Sequence, residues 1–341
     1  MTVSTYFIFF FTLGRGTAAF SPSLGASLTR STAVPRFALS PSSNDDGIHS
    51  VNIVTSRRSL LSQAVAAAVI TSSTTINGPW ESSAASAFEV KKVVVAGATG
   101  QTGRRVLEKL ASQPGLAVIG GVRNIEKATK SLSESSTVVR GAMIQSVSSV
   151  DTSRVELKRM DVVNNSIDDL AKTLEGADSL VIAVGFIPGN PLKMNDAARK
   201  VDNIGTCALI DAAKRSGTVK KVVMVSSILT NGRAWGQEKS PGFVVTNAFG
   251  GVLDEKLVAE NYLRASGLDY TIVRPGGLKA KPPTGGLIVS GEDTLNSGEI
   301  SRDLVADVCV ASLTDAKASN KVLEIIEADE GGPKVFNGLN M

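Results

Sequence analysis

The chain has 341 residues, 43% of them hydrophobic and 20% charged, which is the balance of a folded globule and excludes a disordered or low-complexity protein. Its 36 basic and 32 acidic residues give a formal charge of +4. No Lys/Arg block with interleaved aromatics is present to track a phosphate backbone, so nucleic-acid binding is not expected. The one histidine, His49, lies near the N-terminus, and the chain beyond it has none for Ser-His or Cys-His catalysis or for a His-ligated metal site.

Residues 1–87 read as a targeting leader. The apolar run Tyr6 to Leu13 is too short to span a bilayer but suits a signal peptide, and Thr17-Ala18-Ala19 offers a cleavage site before Phe20. From Ser21 to Arg58 the chain is rich in Ser, Thr and Arg, with Asp45 and Asp46 its only acids. This succession resembles the bipartite leader of plastid proteins in algae whose plastids have extra membranes. Arg57-Arg58, the apolar run to Ile70 and Ala85-Ser86-Ala87 then admit two readings. One is a twin-arginine signal into the thylakoid lumen; the other is a transit-peptide tail that leaves the protein in the stroma. Ser62, Gln63 and Ser72 break the run, so no transmembrane anchor is expected in the mature chain, residues 88–341.

After the leader, strand-length apolar runs alternate with helical periods. The pattern predicts strands at Val93 to Ala96, Leu116 to Val122, Val155 to Arg159, Ser179 to Val184, Val222 to Ser226, Tyr270 to Arg274 and Val322 to Ile326. Between them fall helices at Gly103 to Ser112, Ile125 to Leu132, Ile167 to Leu174, Asp196 to Ser216, Leu253 to Ser266 and Asp303 to Leu313. The long helix is expected to bury Ala197, Val201, Ile204, Ala208 and Ala212. Ser133 to Thr152 has no clear period and reads as a variable stretch. The fold class is α/β: a single doubly wound Rossmann domain with a mostly parallel sheet and a small C-terminal extension. Cys207 and Cys309 stand in apolar, helix-like surroundings and read as buried thiols.

The sharpest local signal is the first strand running into Gly97-Ala98-Thr99-Gly100-Gln101-Thr102-Gly103. Gly97 permits a tight turn, Gly100 lets backbone approach a pyrophosphate, Gly103 lets the helix pack closely, and the helix N-terminus offers N–H groups to phosphate. A dinucleotide cofactor follows. The second strand ends in Arg123, with Lys127 beyond it, where an acid would hold a ribose 2′-hydroxyl and a base accepts a 2′-phosphate; the expected cofactor is NADP (NADPH), with NAD the lesser fit. Asp161-Val162 after the third strand suits the adenine side, although a plain capping aspartate would look the same.

Through these motifs, residues 90–330 resemble the atypical short-chain dehydrogenase/reductases, within the NAD(P)H-binding, NmrA-like proteins. The glycine loop is close to that of biliverdin-IXβ (flavin) reductase. Val225 to Gly232, Lys256 to Glu260 and Tyr270 to Leu278 are similar to an uncharacterised plastid branch of plants and algae. The resemblance implies that Ala183, Val184 and Gly185 line the adenosine side and that Ser226 orients a substrate carbonyl. It also implies that Lys256 holds the nicotinamide ribose and that Pro275, Gly276 and Gly277 pass the nicotinamide amide. The family's tyrosine acid stands four residues before that lysine, and here the position is Val252, which can donate no proton. Two functions lead, with sugar-nucleotide or isomerase chemistry a lesser alternative. One is an NADPH-dependent reductase of a conjugated plastid compound (quinone, flavin or tetrapyrrole) that draws its proton from water. The other is a non-catalytic NADP-binding scaffold or redox sensor with a plastid protein partner. The stretch Ala234 to Phe249, with Phe243, Val244 and Val245, is expected to be a substrate lid, a partner face or plain core under a loop.

Overall fold

In the computed structural model, residues 89–328 are described, apart from 135, 141, 142 and 148, with 136–140 and 143–147 described by their backbone alone. The leader expectations fall outside the described residues. The main sheet holds β1 (Lys92–Ala96), β2 (Ala117–Val122), β5 (Val155–Arg159), β6 (Ser179–Ile182), β7 (Lys221–Val225), β8 (Asp269–Pro275), β10 (Leu287–Ser290) and β12 (Lys321–Glu327). Its strand order is β10-β12-β8-β7-β6-β1-β2-β5. Every pairing is parallel except β10 on β12. The order reverses between β1 and β6, the place where doubly wound sheets open a ligand crevice at the strand C-termini.

Both faces of the sheet are buried, which is why its strands read as continuous apolar runs rather than alternating ones. Val93 and Val95 point into one core with Val106, Leu107 and Leu110 of α1 (Gln101–Ala111) and Leu304, Val305 and Val308 of α8 (Arg302–Ala311). Val94 and Ala96 point into the other with Leu170 of α3 (Ile167–Thr173), Leu209 and Ile210 of α5 (Thr206–Ser216), and Ala259 and Leu263 of α7 (Val252–Arg264). The hairpin β3 (Ser136–Arg140) and β4 (Met143–Val147) occupies the stretch expected to be irregular, just after α2 (Ile125–Ser133). A small parallel pair, β9 (Gly277–Lys279) and β11 (Glu299–Ser301), forms beyond β8.

The long predicted helix begins as α4 (Met194–Ala198), passes through a π-helical segment at Arg199–Gly205 and continues as α5. The wider turn shifts its inward face by one residue. Ala198, Asp202, Gly205, Thr206, Leu209 and Ala213 are buried beside the expected Ala212, whereas Ala197, Val201 and Ala208 are half-buried and Ile204, also expected inside, is 51% exposed. Among the described residues no helix is long and apolar enough to cross a membrane.

Candidate functional site

The crevice is built from the turns that leave β1, β2, β5, β6, β7 and β8 at one end of the sheet. Gly97 has φ +82, and a Cβ there would lie 2.7 Å from the Ala183 carbonyl oxygen. Its N–H and that of Ala98 both donate to the Gly121 carbonyl, at 3.2 and 3.3 Å, so the turn is tied to β2. A Cβ on Gly103 would stand 2.3 Å from the Gly97 oxygen. Gly100 is the N-cap of α1, with no side-chain cap and no acid in the first turn. The positive end of the helix is therefore left to an anion, as a pyrophosphate requires. Thr99, Gln101 and Thr102 complete this turn. The cradle has the shape and charge that a dinucleotide needs.

Arg104 and Arg105, next along α1, are structural. The Arg104 guanidinium donates to the carbonyls of Ser131, Leu132 and Glu134 at the end of α2. Arg105 pairs with Asp303 at 2.9 Å and also bonds the Gln101 carbonyl. Arg123, by contrast, is exposed at the end of β2. It faces Asp161, whose carboxyl is held below the usual range: burial opposes the charge, but hydrogen bonds from Asn164 and Val163, with Arg123 nearby, outweigh it. Those bonds make Asp161 the capping residue of its own turn, the plainer of the two readings of that position. Val162 packs against the π segment, where a Cβ on Gly205 would meet Val162 Cγ2 at 2.7 Å.

On the other side of the switch, Ala183 donates its N–H to Ala96 O at 3.0 Å, which places Ala183, Val184 and Gly185 along the glycine turn. Gly276 sits under Gly298, and Gly277 N–H bonds the Gly298 carbonyl at 2.8 Å, so Pro275 to Gly277 is a fixed wall. Lys256, 15% exposed, makes an ion pair at 2.9 Å with the buried Asp202. Val252 is buried in a cluster with Ala198, Leu253, Ile228, Leu229 and Phe243, so an apolar side chain fills the tyrosine position.

Ser226 is where sequence reasoning and structure part company in detail. It directly follows β7, one residue beyond the strand expected to include it, yet it is 5% exposed and its hydroxyl donates to Glu260 on α7. Glu260 is itself held by Nε and one terminal arm of Arg274, which is fully buried and also bonds Asp293, Glu292 and Glu324. Several acids around one guanidinium raise its pKa despite the opposing effect of burial. Glu324 in turn accepts the N–H groups of Asp293, Thr294 and Leu295, so the network locks the loop after β10 to β12 and to the base of the crevice. Periodicity gave no sign of it, although an acid in the middle of each buried element was the available signal. Along 234–249 the expectations divide: Phe243 of α6 (Pro241–Asn247) is core, whereas Val244, Val245 and Phe249 are 53%, 63% and 44% exposed. Both thiols are free; burial pushes Cys309 up to about 12 and Cys207 to about 11, so neither is an ionised nucleophile at neutral pH.

Comparison with known proteins agrees with this geometry. Residues 97–316 match the NAD(P)H-binding family. An uncharacterised chloroplastic protein of Arabidopsis thaliana is 43% identical over 257 residues, 75% of this chain and 84% of that one. Protein TIC 62 of Pisum sativum, a chloroplastic protein, is 32% identical over 250 residues; the match covers 69% of this chain but 42% of TIC 62. Sanguinarine reductase of Eschscholzia californica is 28% identical over 256 residues, 70% of this chain and 90% of the enzyme. Among solved structures, a putative NAD-dependent epimerase/dehydratase from Bacillus halodurans superposes with a TM-score of 0.56 at 24% identity, over 72% of this chain and 96% of its own. ChuY, an anaerobilin reductase from Escherichia coli O157:H7, does so at 0.52 and 22%, over 70% and 98%. The chain belongs to the NAD(P)H-binding family, an atypical branch of the short-chain dehydrogenase/reductases that includes plastid members.

Proposed function

We propose that this protein binds NADPH in the crevice between the β1 and β6 turns and reduces a planar, conjugated acceptor of the quinone, flavin or linear tetrapyrrole kind. The observation that carries the reading is the contrast within one site. The phosphate cradle of Gly97, Gly100 and Gly103 is complete, while the proton-donor position holds the buried Val252. When bound, the nicotinamide supplies the hydride. Gly97 to Gly103 hold the pyrophosphate, Arg123 takes the 2′-phosphate, and Lys256 meets the nicotinamide ribose. Asp161 and Val162 border the adenine, Ala183 to Gly185 the adenosine side, and Pro275 to Gly277 the nicotinamide amide. Such an acceptor takes its proton from water, so no side-chain acid is needed. One relative is a reductase by name, and several are chloroplastic. With residues 1–87 as a cleaved leader, the site of action is the plastid.

Val252 and the tethered Ser226 also favour a second reading, an NADP-binding scaffold for a plastid protein partner. Absorbance at the nicotinamide band separates the two. With NADPH and a panel of quinones, flavins and biliverdins, oxidation by at least one acceptor is expected. Tight NADPH binding without oxidation by any of them would leave the scaffold.

A further inference from the structure

The π-helical segment Arg199–Gly205 carries Asp202 to a position 1% exposed, where a carboxylate is costly unless it is paired. Its two oxygens reach two different walls of the crevice. Oδ1 is 2.9 Å from the Lys256 ammonium on α7. Oδ2 accepts the Phe186 N–H at 3.0 Å, at the end of the turn that follows β6. A Cβ on Gly185 would stand 3.7 Å from the same Oδ1, and Gly205 closes the segment onto Val162. One buried acid thus joins the lysine to the turn beside the cofactor's adenosine.

A lysine ammonium is a point charge on a flexible four-carbon stem with three donors. Held 2.9 Å from a fixed carboxylate by charge, outside hydrogen-bond geometry, the ammonium loses the freedom of its stem and keeps its N–H donors for a diol. We propose that Asp202 is a positioning residue for cofactor binding: it fixes Lys256 and the 185–186 peptide in one relation, so that the ammonium meets the nicotinamide ribose hydroxyls without searching. The inference rests on the crevice as an NADPH site and on Lys256 as its ribose contact. It does not rest on turnover.

The test is a double-mutant cycle on the full chain, read as the NADPH dissociation constant by nicotinamide fluorescence, with the NADPH-induced rise in melting temperature as a second readout. Asp202→Asn keeps an acceptor for Phe186 N–H but removes the charge that holds the lysine. Lys256→Gln is expected to weaken NADPH about tenfold, the scale of one charge-assisted hydrogen bond. Asp202→Asn should weaken it comparably, and the double variant should bind no worse than Lys256→Gln alone. Wild-type affinity in Asp202→Asn, or losses that multiply in the double variant, would overturn the proposal. Should Asp202→Asn not fold, Asp202→Glu makes the same test. Its displaced charge should weaken binding severalfold when Lys256 is present and not at all in the Lys256→Gln background; an equal loss in both backgrounds overturns it. Wild-type affinity in Lys256→Gln also overturns it but leaves the reductase reading standing. A silent acceptor panel does the reverse.

Discussion

Replacing Gly103 by alanine puts a Cβ 2.3 Å from the Gly97 oxygen and 2.9 Å from its carbonyl carbon. Both are backbone atoms, so no side chain can swing aside. Ordinary contact begins at 3.4 Å, and the Gly97 peptide must therefore retreat by about 1 Å from α1. That peptide belongs to the turn proposed to face the pyrophosphate, and a misplacement of about 1 Å in a positioning element costs roughly 100-fold in rate. Overpacking of this kind also costs about 1–3 kcal/mol of stability, or roughly 2–4 °C of melting temperature per kcal/mol in a domain of this size. Gly115→Ala is the control: its φ is +77, but nothing lies within 4 Å of the new Cβ, so it carries about 1 kcal/mol of backbone strain and no clash. Fluorescence titration and thermal melts on the two variants should show both destabilised but only Gly103→Ala losing NADPH. Wild-type NADPH affinity in Gly103→Ala, or an equal loss in Gly115→Ala, would refute the reasoning.

Arg123→Ala should weaken NADPH about tenfold or more and NADH little, because a charge-assisted bond to the 2′-phosphate is lost; equal losses in paired titrations would remove Arg123 from the cofactor assignment. Val252→Tyr should lower stability by about 1–3 kcal/mol through overpacking against Ala198, Leu253 and Phe243. It should confer no alcohol dehydrogenation, since the Ser226 hydroxyl stays bound to Glu260. NADP⁺ reduction with an alcohol panel checks this, and a gain would contradict it. Glu327 is buried; burial raises its pKa, but the Thr284 and Gly285 N–H groups and Lys279 more than reverse that and hold it at about 2. A depressed folded-state pKa stabilises above the ordinary glutamate range and ceases to as pH falls toward 2, a contribution of about 3 kcal/mol at neutral pH. The stability gap between wild type and Glu327→Gln in urea should therefore shrink by more than half between pH 6 and pH 3; a constant gap would show that the carboxylate is not so held.

The sheet and its glycine turn were legible because their causes are local. Val93 to Ala96 are apolar for burial on both faces, and Gly97 and Gly103 stand where a Cβ meets backbone. What stayed hidden depended on contacts across the chain. The wide turn at Arg199–Gly205 moved the buried face from Val201 and Ile204 to Asp202 and Gly205, which a strict 3.6-residue period cannot anticipate. Ser226 was placed correctly at a strand end, but the direction of its hydroxyl is decided by Glu260, which lies 34 residues on and is fixed by Arg274. The β3–β4 hairpin has strand-like Val138-Val139 and Met143-Ile144 runs, yet Ser residues around them masked the signal.

The most direct test of the account is transfer of deuterium from NADPH deuterated on both faces of C4, on the full chain, to a quinone, flavin or biliverdin, followed by mass spectrometry of both products. The account predicts loss of deuterium from the nicotinamide with at least one acceptor, and label on carbon in a reduced biliverdin, whereas a reduced flavin or quinone carries it on N or O and exchanges it with water; transfer is abolished in Gly103→Ala and retained in Val252→Ala. Bound NADPH that keeps its label with every acceptor would contradict it.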